Sequence, residues 1–370
     1  MCYVDLRFSQ IDHGEFISMP LIDQLLEALS EHKASDIHLI IGQPAKIRVH
    51  GTLEPLTDNI ISEKYMEEML HEICSLENWE YFLKNKDLDF AYEIPGKARF
   101  RTNYLYNYYG MAAVFHKIPL KIPTMQELLL PDVLKKICDS NSTGGLYCIT
   151  GPVGSGKSTT LAAMIEYINL KHCKHIITLE NPIEFVYKDK KSIIVQREIG
   201  IHSNSFTNAL NNAMRSDPDI ILLGGMHNLE TIRLALTCAA MGIQVFTTLN
   251  TNNAFKTINH IIDSFPVGEQ PQIRTILSET LRGIVSQVLC KKNAGGRIAV
   301  NEILLWTEEL PNIIRENQIS KIHTIIEDSK SMGMQSMDDT LKKYLLDNII
   351  SPEEAYMQAA NKKKFIEFLR

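Results

Sequence analysis

The sequence has no apolar run that could cross a bilayer. A spanning helix needs about 18 or more consecutive apolar residues, and no segment of the 370-residue chain reaches that length. The first ten residues, MCYVDLRFSQ, also lack the basic stretch and the apolar stretch that together mark a secretory signal. We therefore expect neither a spanning helix nor a secretory signal, and we expect a cytoplasmic protein.

Cysteine pairs in a metal-binding spacing are also absent. The seven cysteines are scattered, and no two of them stand in a C-x-x-C spacing. An odd number of thiols in a chain without a secretory signal is typical of reduced cysteines, which usually pack as small apolar side chains. We therefore expect neither a disulfide framework nor a structural zinc site.

Basic residues are not in excess. Lysine and arginine number 38 against 44 aspartates and glutamates, which gives a formal net charge of -6. Non-specific binding of nucleic acid needs a basic surface, so we expect no nucleic-acid partner. Hydrophobic residues make up 45% of the chain, an ordinary value for a globular protein. A chain of 370 residues is too long for one ordinary core and indicates two domains.

The first third of the chain combines helical and strand patterns. Apolar residues at helical spacing predict helices over residues 19–34 and 62–76. Short or alternating apolar runs predict strands at residues 37–41, 45–50, 88–92, 98–104 and 111–116, with a tyrosine-rich turn over 104–109. We interpret residues 1–118 as a small α+β domain. Residues 119–123 contain two prolines and are predicted to be a linker.

Strands and helices alternate in the next part of the chain. Apolar runs predict strands at residues 146–150, 176–179, 220–223 and 245–249, with helices over 157–169 and 229–241. This alternation is typical of a doubly wound parallel sheet. Two further strands, at 284–289 and 297–306, complete a core that we place at residues 124–308. Residues 309–370 are predicted to form short helices.

Residues 151–158 match the phosphate-loop pattern G-x-x-x-x-G-K-[ST], with a predicted strand before it and a predicted helix after it. Glycines let the backbone approach phosphate groups, and the helix N-terminus adds partial positive charge. Lys157 is predicted to reach the β and γ phosphates and Ser158 to ligate Mg²⁺. We therefore predict binding of ATP and Mg²⁺ by Gly151, Pro152, Val153, Gly154, Ser155, Gly156, Lys157, Ser158 and Thr159.

Further motifs resemble one family, the type II/IV secretion ATPases, and within it the PilT-type retraction motors of type IV pili. Residues 217–236 resemble the family's Walker B region, 177–185 its Asp box and 98–101 the arginine segment of its N-terminal domain. Residues 314–316 and 333–335 resemble C-terminal markers. The resemblance runs from about Met19 to about Ala359.

One absence bears on the branch of the family, and the position of Met19 bears on the start of the chain. Relatives that drive pilus assembly or type II secretion usually carry a four-cysteine zinc site, and its absence favours the retraction branch. Met19 stands where members of this family usually start. Residues 1–18 are therefore either an extension or the product of an upstream start codon, and we favour the second interpretation.

The resemblance implies an α/β fold, with a RecA-like P-loop NTPase domain preceded by a small α+β, PAS-like domain and followed by a helical C-terminal tail. It implies a homohexamer in which arginines of the N-terminal domain complete the ATP site. Strand alternation puts Arg99 and Arg101 on one face, where the simpler interpretation is a solvated surface. The implied location is the cytoplasmic face of the inner membrane at the pilus base.

The resemblance also implies partners. The expected ones are further copies of this chain and the inner-membrane platform protein of the pilus. A second, intact retraction ATPase is a further candidate.

The sequence departs from the family pattern where catalysis is expected. The family places a glutamate, the base that activates water, directly after the residue that matches Gly224, and this chain has Gly225. A positioned general base contributes about 10²- to 10⁴-fold to a rate, so this change alone predicts slow hydrolysis. The other departures are Asn181 in the Asp box, Asn250 in the His box, His227 and Asn228 after the Walker B strand, and His116 in place of an N-domain arginine.

Glu180 keeps its place in the Asp box, and the family uses that glutamate near the γ-phosphate. We therefore predict Glu180 as the main catalytic carboxylate, with Arg99 and Arg101 as catalytic arginines. Arg215 and Arg233 are weaker candidates for the interface. The remaining polar residues near these motifs are interpreted as surface, turn or loop residues: Glu184, Asp217, Asp219 and His202.

Several functions remain open from the sequence. The first is a slow hexameric ATPase that powers pilus retraction and twitching motility. The second is an ATP-binding pseudo-ATPase that acts as an accessory or regulatory subunit, and the third is a decaying gene product with little activity. A RecA-type nucleic-acid motor is disfavoured by the acidic charge balance.

Overall fold

The computed structural model describes residues 20–32, 34–49, 51–140, 144–226 and 228–369. The chain divides into two compact units, which are described separately. The first unit comprises the chain up to Lys121 together with Pro182–Phe185. The second unit comprises Ile122–Asn181 and Val186–Arg370. The expectations for residues 1–18 and for His227 lie outside the described residues.

The first unit is built on an antiparallel sheet of six strands. The strands are β1 (Asp36–Ile40), β2 (Pro44–Val49), β3 (Thr52–Ile60), β4 (Asp87–Ile94), β5 (Ala98–Asn107) and β6 (Gly110–Ile118). Their order across the sheet is β3-β2-β1-β6-β5-β4. The helices of this unit are α1 (Leu21–Glu31), α2 (Glu63–Glu72) and α3 (Leu76–Asn85). Leu26, Phe82 and Phe100 are fully buried in the core that helices and sheet share.

The helix predicted over residues 62–76 is present as α2, but it ends earlier, at Glu72, and a second helix, α3, begins at Leu76. Ser62 and Ser75 each precede a helix, and their side chains accept hydrogen bonds from the backbone N–H groups of Tyr65 and Asn78. Serine at such a position satisfies N–H groups that the first turn leaves without an acceptor. The second serine therefore starts a new helix where the apolar spacing alone predicted the end of the first.

The tyrosine-rich turn is shorter than predicted. Tyr104 lies within β5, is fully buried, and donates a 3.0 Å hydrogen bond to the carbonyl of Leu70. Tyr108 and Tyr109 lie in the turn between β5 and β6, where both side chains are exposed. The cluster therefore contains two residues of β5, Tyr104 in the core and Tyr106 packed against it, and a two-residue surface turn.

The second unit contains a sheet of seven strands. The strands are β7 (Gly145–Thr150), β8 (His175–Glu180), β9 (Ile193–Glu198), β10 (Ile220–Leu223), β11 (Gln244–Leu249), β12 (Leu281–Lys291) and β13 (Arg297–Leu305). Their order is β13-β12-β7-β11-β10-β8-β9, and the β12–β13 pair is the antiparallel one. The carboxyl ends of β7, β8, β10, β11 and β12 therefore meet at one edge of the sheet.

Helices cover both faces of this sheet. They are α4 (Val133–Asp139), α5 (Lys157–Lys171), α6 (Phe206–Ala213), α7 (Leu229–Ala240), α8 (Ala254–Asp263) and α9 (Gln270–Thr280). Neighbouring residues of one strand belong to two different apolar clusters, as with Leu146 and Tyr147 of β7 or Val245 and Phe246 of β11. Successive strand residues point to opposite faces, so both faces are buried. The predicted α/β fold class is confirmed.

The C-terminal part of the second unit is helical, as predicted. It contains α10 (Leu310–Arg315), α11 (Ile322–Asp328), α12 (Met337–Leu346) and α13 (Pro352–Gln358). Buried apolar residues of β13 and of this region, including Val300, Leu341 and Phe365, share one cluster. Among the described residues, no helix combines the length and the apolar character needed to cross a bilayer.

Candidate phosphate-binding site

The phosphate loop connects the fully buried strand β7 to α5. The strand ends at Thr150, the loop spans residues 151–156, and α5 begins at Lys157. Gly156 precedes the helix in a left-handed conformation with φ of 84°. The loop therefore presents backbone N–H groups and the positive end of a 15-residue helix at the carboxyl edge of the sheet.

Two loop glycines are required by the close approach of β12. A Cβ atom on Gly151 would lie 2.2 Å from the carbonyl oxygen of Gln287, and φ at Gly151 is +149°. A Cβ atom on Gly156 would lie 3.0 Å from the side-chain nitrogen of Gln287. Only glycine lets the backbone take these conformations at this separation.

Lys157 contacts the loop that it follows. Its Nζ donates hydrogen bonds to the carbonyl oxygens of Gly151 (2.8 Å) and Pro152 (2.9 Å). These bonds hold the ammonium group beside the first two residues of the loop. A phosphate oxygen is a stronger acceptor than a carbonyl because it carries charge, so the same group is available to a bound polyphosphate.

The residues of the loop fit a phosphate ligand. The Oγ atom of Ser155 is buried, and no hydrogen-bond partner for it is found among the described residues. A buried hydroxyl without a partner is costly, and a ligand oxygen would satisfy it. Ser158 and Thr159 are half-buried in the first turn of α5. The Ser158 hydroxyl is the group there that could ligate Mg²⁺.

The Walker B strand β10 ends beside β8. The backbone N–H of Gly224 donates to the carbonyl of Leu179 (2.8 Å), and Thr248 donates from its hydroxyl to the carbonyl of Gly224 (2.6 Å). A Cβ atom on Gly224 would lie 3.2 Å from the Leu179 carbonyl oxygen. Gly225 follows in a buried position. The position where the resemblance predicts a catalytic carboxylate therefore holds, at the end of a central strand, a residue without a side chain.

Glu180 is the last residue of β8, and its side chain is held by two neighbours. Its Oε1 accepts hydrogen bonds from the Thr178 hydroxyl (2.7 Å) and from Nε2 of Gln196 (3.3 Å). β8 lies three places from β7 and β10 lies two. At about 4.8 Å per strand, these positions are about 14 Å and about 10 Å from β7. Glu180 therefore begins one strand farther from the phosphate loop than a residue at Gly225.

The asparagines among the departures have different roles. Asn228 caps α7, since its Oδ1 accepts hydrogen bonds from the N–H (2.9 Å) and the hydroxyl (2.8 Å) of Thr231. Asn181 and Asn250 are exposed at the ends of β8 and β11. Asn228 therefore has a structural role as a helix cap, which its place in the family pattern did not indicate.

Arg99 and Arg101 belong to the first unit, and so does the segment Pro182–Phe185. Arg99 donates to the carbonyl of Ile183 (2.9 Å from Nη2) and to the carboxylate of Glu93 (2.8 Å). Arg101 forms an ion pair with Glu184, with 3.8 Å between Nη1 and Oε1. Both arginines therefore lie on one face of β5, as predicted, and both contact the last part of the Asp box, Pro182–Phe185.

His116, in the same unit, lies where the resemblance predicts a further arginine of the N-terminal domain. Its Nδ1 lies 2.5 Å from Oδ1 of Asp36 on the neighbouring strand β1. Burial opposes ionisation of Asp36, but hydrogen bonds from His116 and Ser35 outweigh it and lower the pKa of this carboxyl. His116 is thus part of a pair rather than an isolated side chain.

The two aspartates before β10 lie at its amino end, opposite to the phosphate loop. Asp217 takes a left-handed conformation with φ of 49°. Asp219 accepts hydrogen bonds from the backbone N–H of His175 (2.8 Å) and from Lys174 (3.1 Å). Burial opposes ionisation of Asp219, but these bonds outweigh it and lower its pKa. Both residues have turn and strand-end roles.

Other candidates are placed by local contacts. His202 is exposed, and its Nδ1 accepts a hydrogen bond from the backbone N–H of Glu198 (2.9 Å) within a turn. Arg233 pairs with Glu269 (2.6 Å) and lies over the ring of Phe265. Arg215 is exposed.

The two C-terminal markers make structural contacts. Arg315 donates to the side chains of Ser278 and Asn312. Gln335 pairs its backbone with Ile303 of β13 and donates from its side chain to the carbonyl of Asn301 (2.8 Å).

Sequence reasoning missed two polar residues beneath the loop. Ser286 of β12 shares a 2.8 Å hydrogen bond with Thr150 of β7, and both are buried. Gln287 follows Ser286 and contacts the loop itself. The available signal was a Ser-Gln pair inside an otherwise apolar strand, since buried polar residues need partners.

Known proteins resemble this chain over nearly its whole length. The family model described as "Type II/IV secretion system protein" matches residues 12–356. The type IV pilus retraction ATPase PilT of Pseudomonas aeruginosa is 42% identical over 344 residues, which cover 93% of this chain and 99% of that protein. A twitching motility protein of Neisseria gonorrhoeae is 44% identical over 316 residues, with 85% and 84% covered.

A crystal structure of the pilus retraction motor PilT with bound ADP superposes with a TM-score of 0.83 at 38% identity, and the match covers 94% of this chain and 99% of that one. The predicted resemblance to the PilT-type retraction ATPases and the predicted RecA-like secretion-ATPase fold are both confirmed. The chain belongs to the type II/IV secretion system protein family.

Proposed function

We propose that this chain is an ATP-dependent motor subunit of the type IV pilus retraction type. The observation that carries the proposal is the phosphate loop at residues 151–158, set between a buried parallel strand and α5. The likeness to PilT proteins over 99% of their length supports the pilus machinery as the setting.

The chain's own groups divide the work of holding ATP. Backbone N–H groups of Val153, Gly154 and Gly156 and of the first turn of α5 face the phosphates, and Lys157 offers a charged donor to the β and γ phosphates. Ser158 is the proposed Mg²⁺ ligand. When bound, Mg²⁺ neutralises charge on the phosphate chain.

Hydrolysis depends on Glu180 in this proposal. Glu180 is the carboxylate at the described carboxyl ends of β7, β8, β10 and β11, and Glu198, which ends β9, lies one strand farther from the loop. Glu180 orients the attacking water, while Thr178 and Gln196 fix its side chain. Because it starts one strand farther from the loop than Gly225, we expect turnover about 10²- to 10⁴-fold below that of an enzyme with a base at residue 225.

The remaining parts of the proposal follow the family. Arg99 and Arg101 contact the γ-phosphate of ATP that is bound by their own or by a neighbouring copy, and copies of the chain form a homohexamer. The ring acts at the cytoplasmic face of the inner membrane, at the pilus base, on the platform protein. A second, intact retraction ATPase is a further proposed partner.

Calorimetry with MgATP, together with a phosphate-release assay, tests the proposal. Lys157→Ala should reduce affinity for MgATP by at least about 10-fold, because it removes a charge-assisted hydrogen bond. Lys171→Ala, at the other end of α5, is the matched control and should bind as the unchanged chain does. Phosphate release should be slow but above background, and it should disappear in Lys157→Ala.

The outcomes separate the functions. Undetectable binding of MgATP to the unchanged chain would overturn the proposal. Tight binding without any phosphate release would identify an ATP-binding accessory subunit instead. Size-exclusion chromatography with light scattering, with and without MgATP, tests the hexamer independently.

A further inference from the structure

The side chain of Gln287 lies beneath the phosphate loop and is 1% exposed. Its Nε2 donates a 2.6 Å hydrogen bond to the carbonyl oxygen of Ser155. Its Oε1 accepts from the hydroxyl of Thr160 in α5 (2.8 Å) and from Nδ2 of Asn301 in β13 (3.0 Å). One amide therefore joins the loop, the helix that follows it and the edge strand of the sheet.

The orientation of this amide is determined by its partners. A backbone carbonyl can only accept a hydrogen bond, so the group that faces Ser155 must be the amide nitrogen. The oxygen then faces Thr160 and Asn301, whose hydroxyl and amide can both donate. Both lone pairs of Oε1 are used, and the side chain has no second arrangement that satisfies all three partners.

The hydrogen bond to Ser155 also sets the direction of the next N–H group. The carbonyl of Ser155 and the N–H of Gly156 belong to one planar trans peptide, in which they point in opposite directions. Because Gln287 holds the carbonyl toward β12, the Gly156 N–H is directed away from β12. Gly156 stands directly before α5, where phosphate groups bind in loops of this type.

We propose that Gln287 is a positioning residue for the phosphate loop. It turns the Ser155–Gly156 peptide so that its N–H faces the phosphates, and it ties this peptide to the first turn of α5 through Thr160. The inference rests on the proposed binding of ATP at residues 151–158. It adds a residue outside the loop motif that determines how tightly the loop binds.

Binding of MgADP and MgATP to variants tests the inference. Gln287→Leu keeps the approximate size of the side chain but removes the donor to the Ser155 carbonyl. The Gly156 N–H is then no longer held toward the phosphates. Affinity should therefore fall about 10- to 100-fold, the factor that a hydrogen bond to a charged group contributes. Thr160→Val removes one partner of Oε1 and should lower affinity about 2- to 10-fold. Thr247→Val is the matched control, because the Thr247 hydroxyl is buried without a partner among the described residues.

The variant Gln287→Glu gives a readout that a purely structural role would not produce. The new carboxyl keeps an acceptor for Thr160 and Asn301, but when ionised it has no donor for Ser155. When protonated it donates an O–H to the same carbonyl, and burial favours the protonated form. Its affinity for MgADP should therefore rise at least about 5-fold from pH 8 to pH 6, beyond any change in the unchanged chain.

The outcomes distinguish a failure of the inference about Gln287 from a failure of the proposed binding of ATP. If the unchanged chain binds MgADP and Gln287→Leu binds equally well at equal thermal stability, Gln287 does not position the loop. If Gln287→Leu does not fold, the pH response of Gln287→Glu and the Thr160→Val affinity decide, and a flat response with unchanged affinity overturns the inference. Loss of binding in the unchanged chain counts against the proposed function instead.

Discussion

At the scale of single residues, the proposed hydrolysis depends on which side chains lie at the strand ends. Gly225 follows β10, the strand two places from the phosphate loop strand, and Glu180 ends β8, three places away. The separation of the strands makes a carboxylate on β10 the better placed of the two. Glu180 is also hydrogen-bonded to Thr178 and Gln196, which limits how far it can extend.

We predict that Gly225→Glu raises phosphate release by about 10²-fold or more, because it restores a base at the strand end nearer to the loop. Gly225→Gln is the matched control, since it adds nearly the same volume at a buried position without a carboxylate. The assay is phosphate release per protomer at saturating MgATP, with the melting temperature recorded for each variant. Equal rates in the Glu and Gln variants would show that the missing carboxylate does not limit turnover.

At the scale of helices and strands, the polar residue that precedes a helix often determines where along the chain the helix begins. Asn228 illustrates this at α7, where it accepts hydrogen bonds from the backbone and side chain of Thr231. The residue stands in the catalytic region of the family pattern, yet its contacts in this structure are those of a helix cap. Its effect on stability can therefore be separated from any effect on turnover.

We predict that Asn228→Ala lowers the free energy of unfolding by about 1 kcal/mol, because it removes the cap of α7. Asn228→Asp should leave stability unchanged or slightly higher, because the carboxylate accepts the same bonds and carries a charge that suits a helix N-terminus. Urea unfolding of the three proteins measures this difference. Equal destabilisation by Ala and Asp would contradict a capping role.

The elements that sequence predicted correctly share a strong local signal. β10 and β11 are continuous apolar runs, and the phosphate loop is a specific pattern with a strand before it. β3 was missed because most of its residues are exposed and lack alternation. β9 was missed because its apolar run is only three residues long, Ile193 to Val195, and charged and polar residues flank it on both sides.

The candidate site was predictable only where one motif carries it. The loop and Glu180 follow from contiguous residues, so the sequence alone indicated them. Gln287 lies 132 residues from Ser155 along the chain, and its contact depends on β12 lying next to β7. Strand order is a long-range property that local periodicity does not determine, and no single motif contains it.

At the scale of the whole molecule, each of the two units has its own core and its own tryptophan. The sequence contains two tryptophans. Trp79 lies buried in α3 of the first unit, and Trp306 directly follows β13 in the second, where it is partly exposed. The variants Trp79→Phe and Trp306→Phe therefore leave one fluorescent reporter in one unit at a time.

Nucleotide binding should stabilise the unit that carries the phosphate loop. We predict that MgADP or MgATP at 100 times its dissociation constant stabilises the second unit, reported by Trp306, by about 2.7 kcal/mol. If Arg99 and Arg101 contact the γ-phosphate as proposed, MgATP should also shift the Trp79 transition, while MgADP should shift it less because it lacks that phosphate. The difference should disappear in the double variant Arg99→Ala, Arg101→Ala. Equal shifts of the Trp79 transition by the two nucleotides would remove these arginines from the γ-phosphate site and leave nucleotide recognition to the second unit.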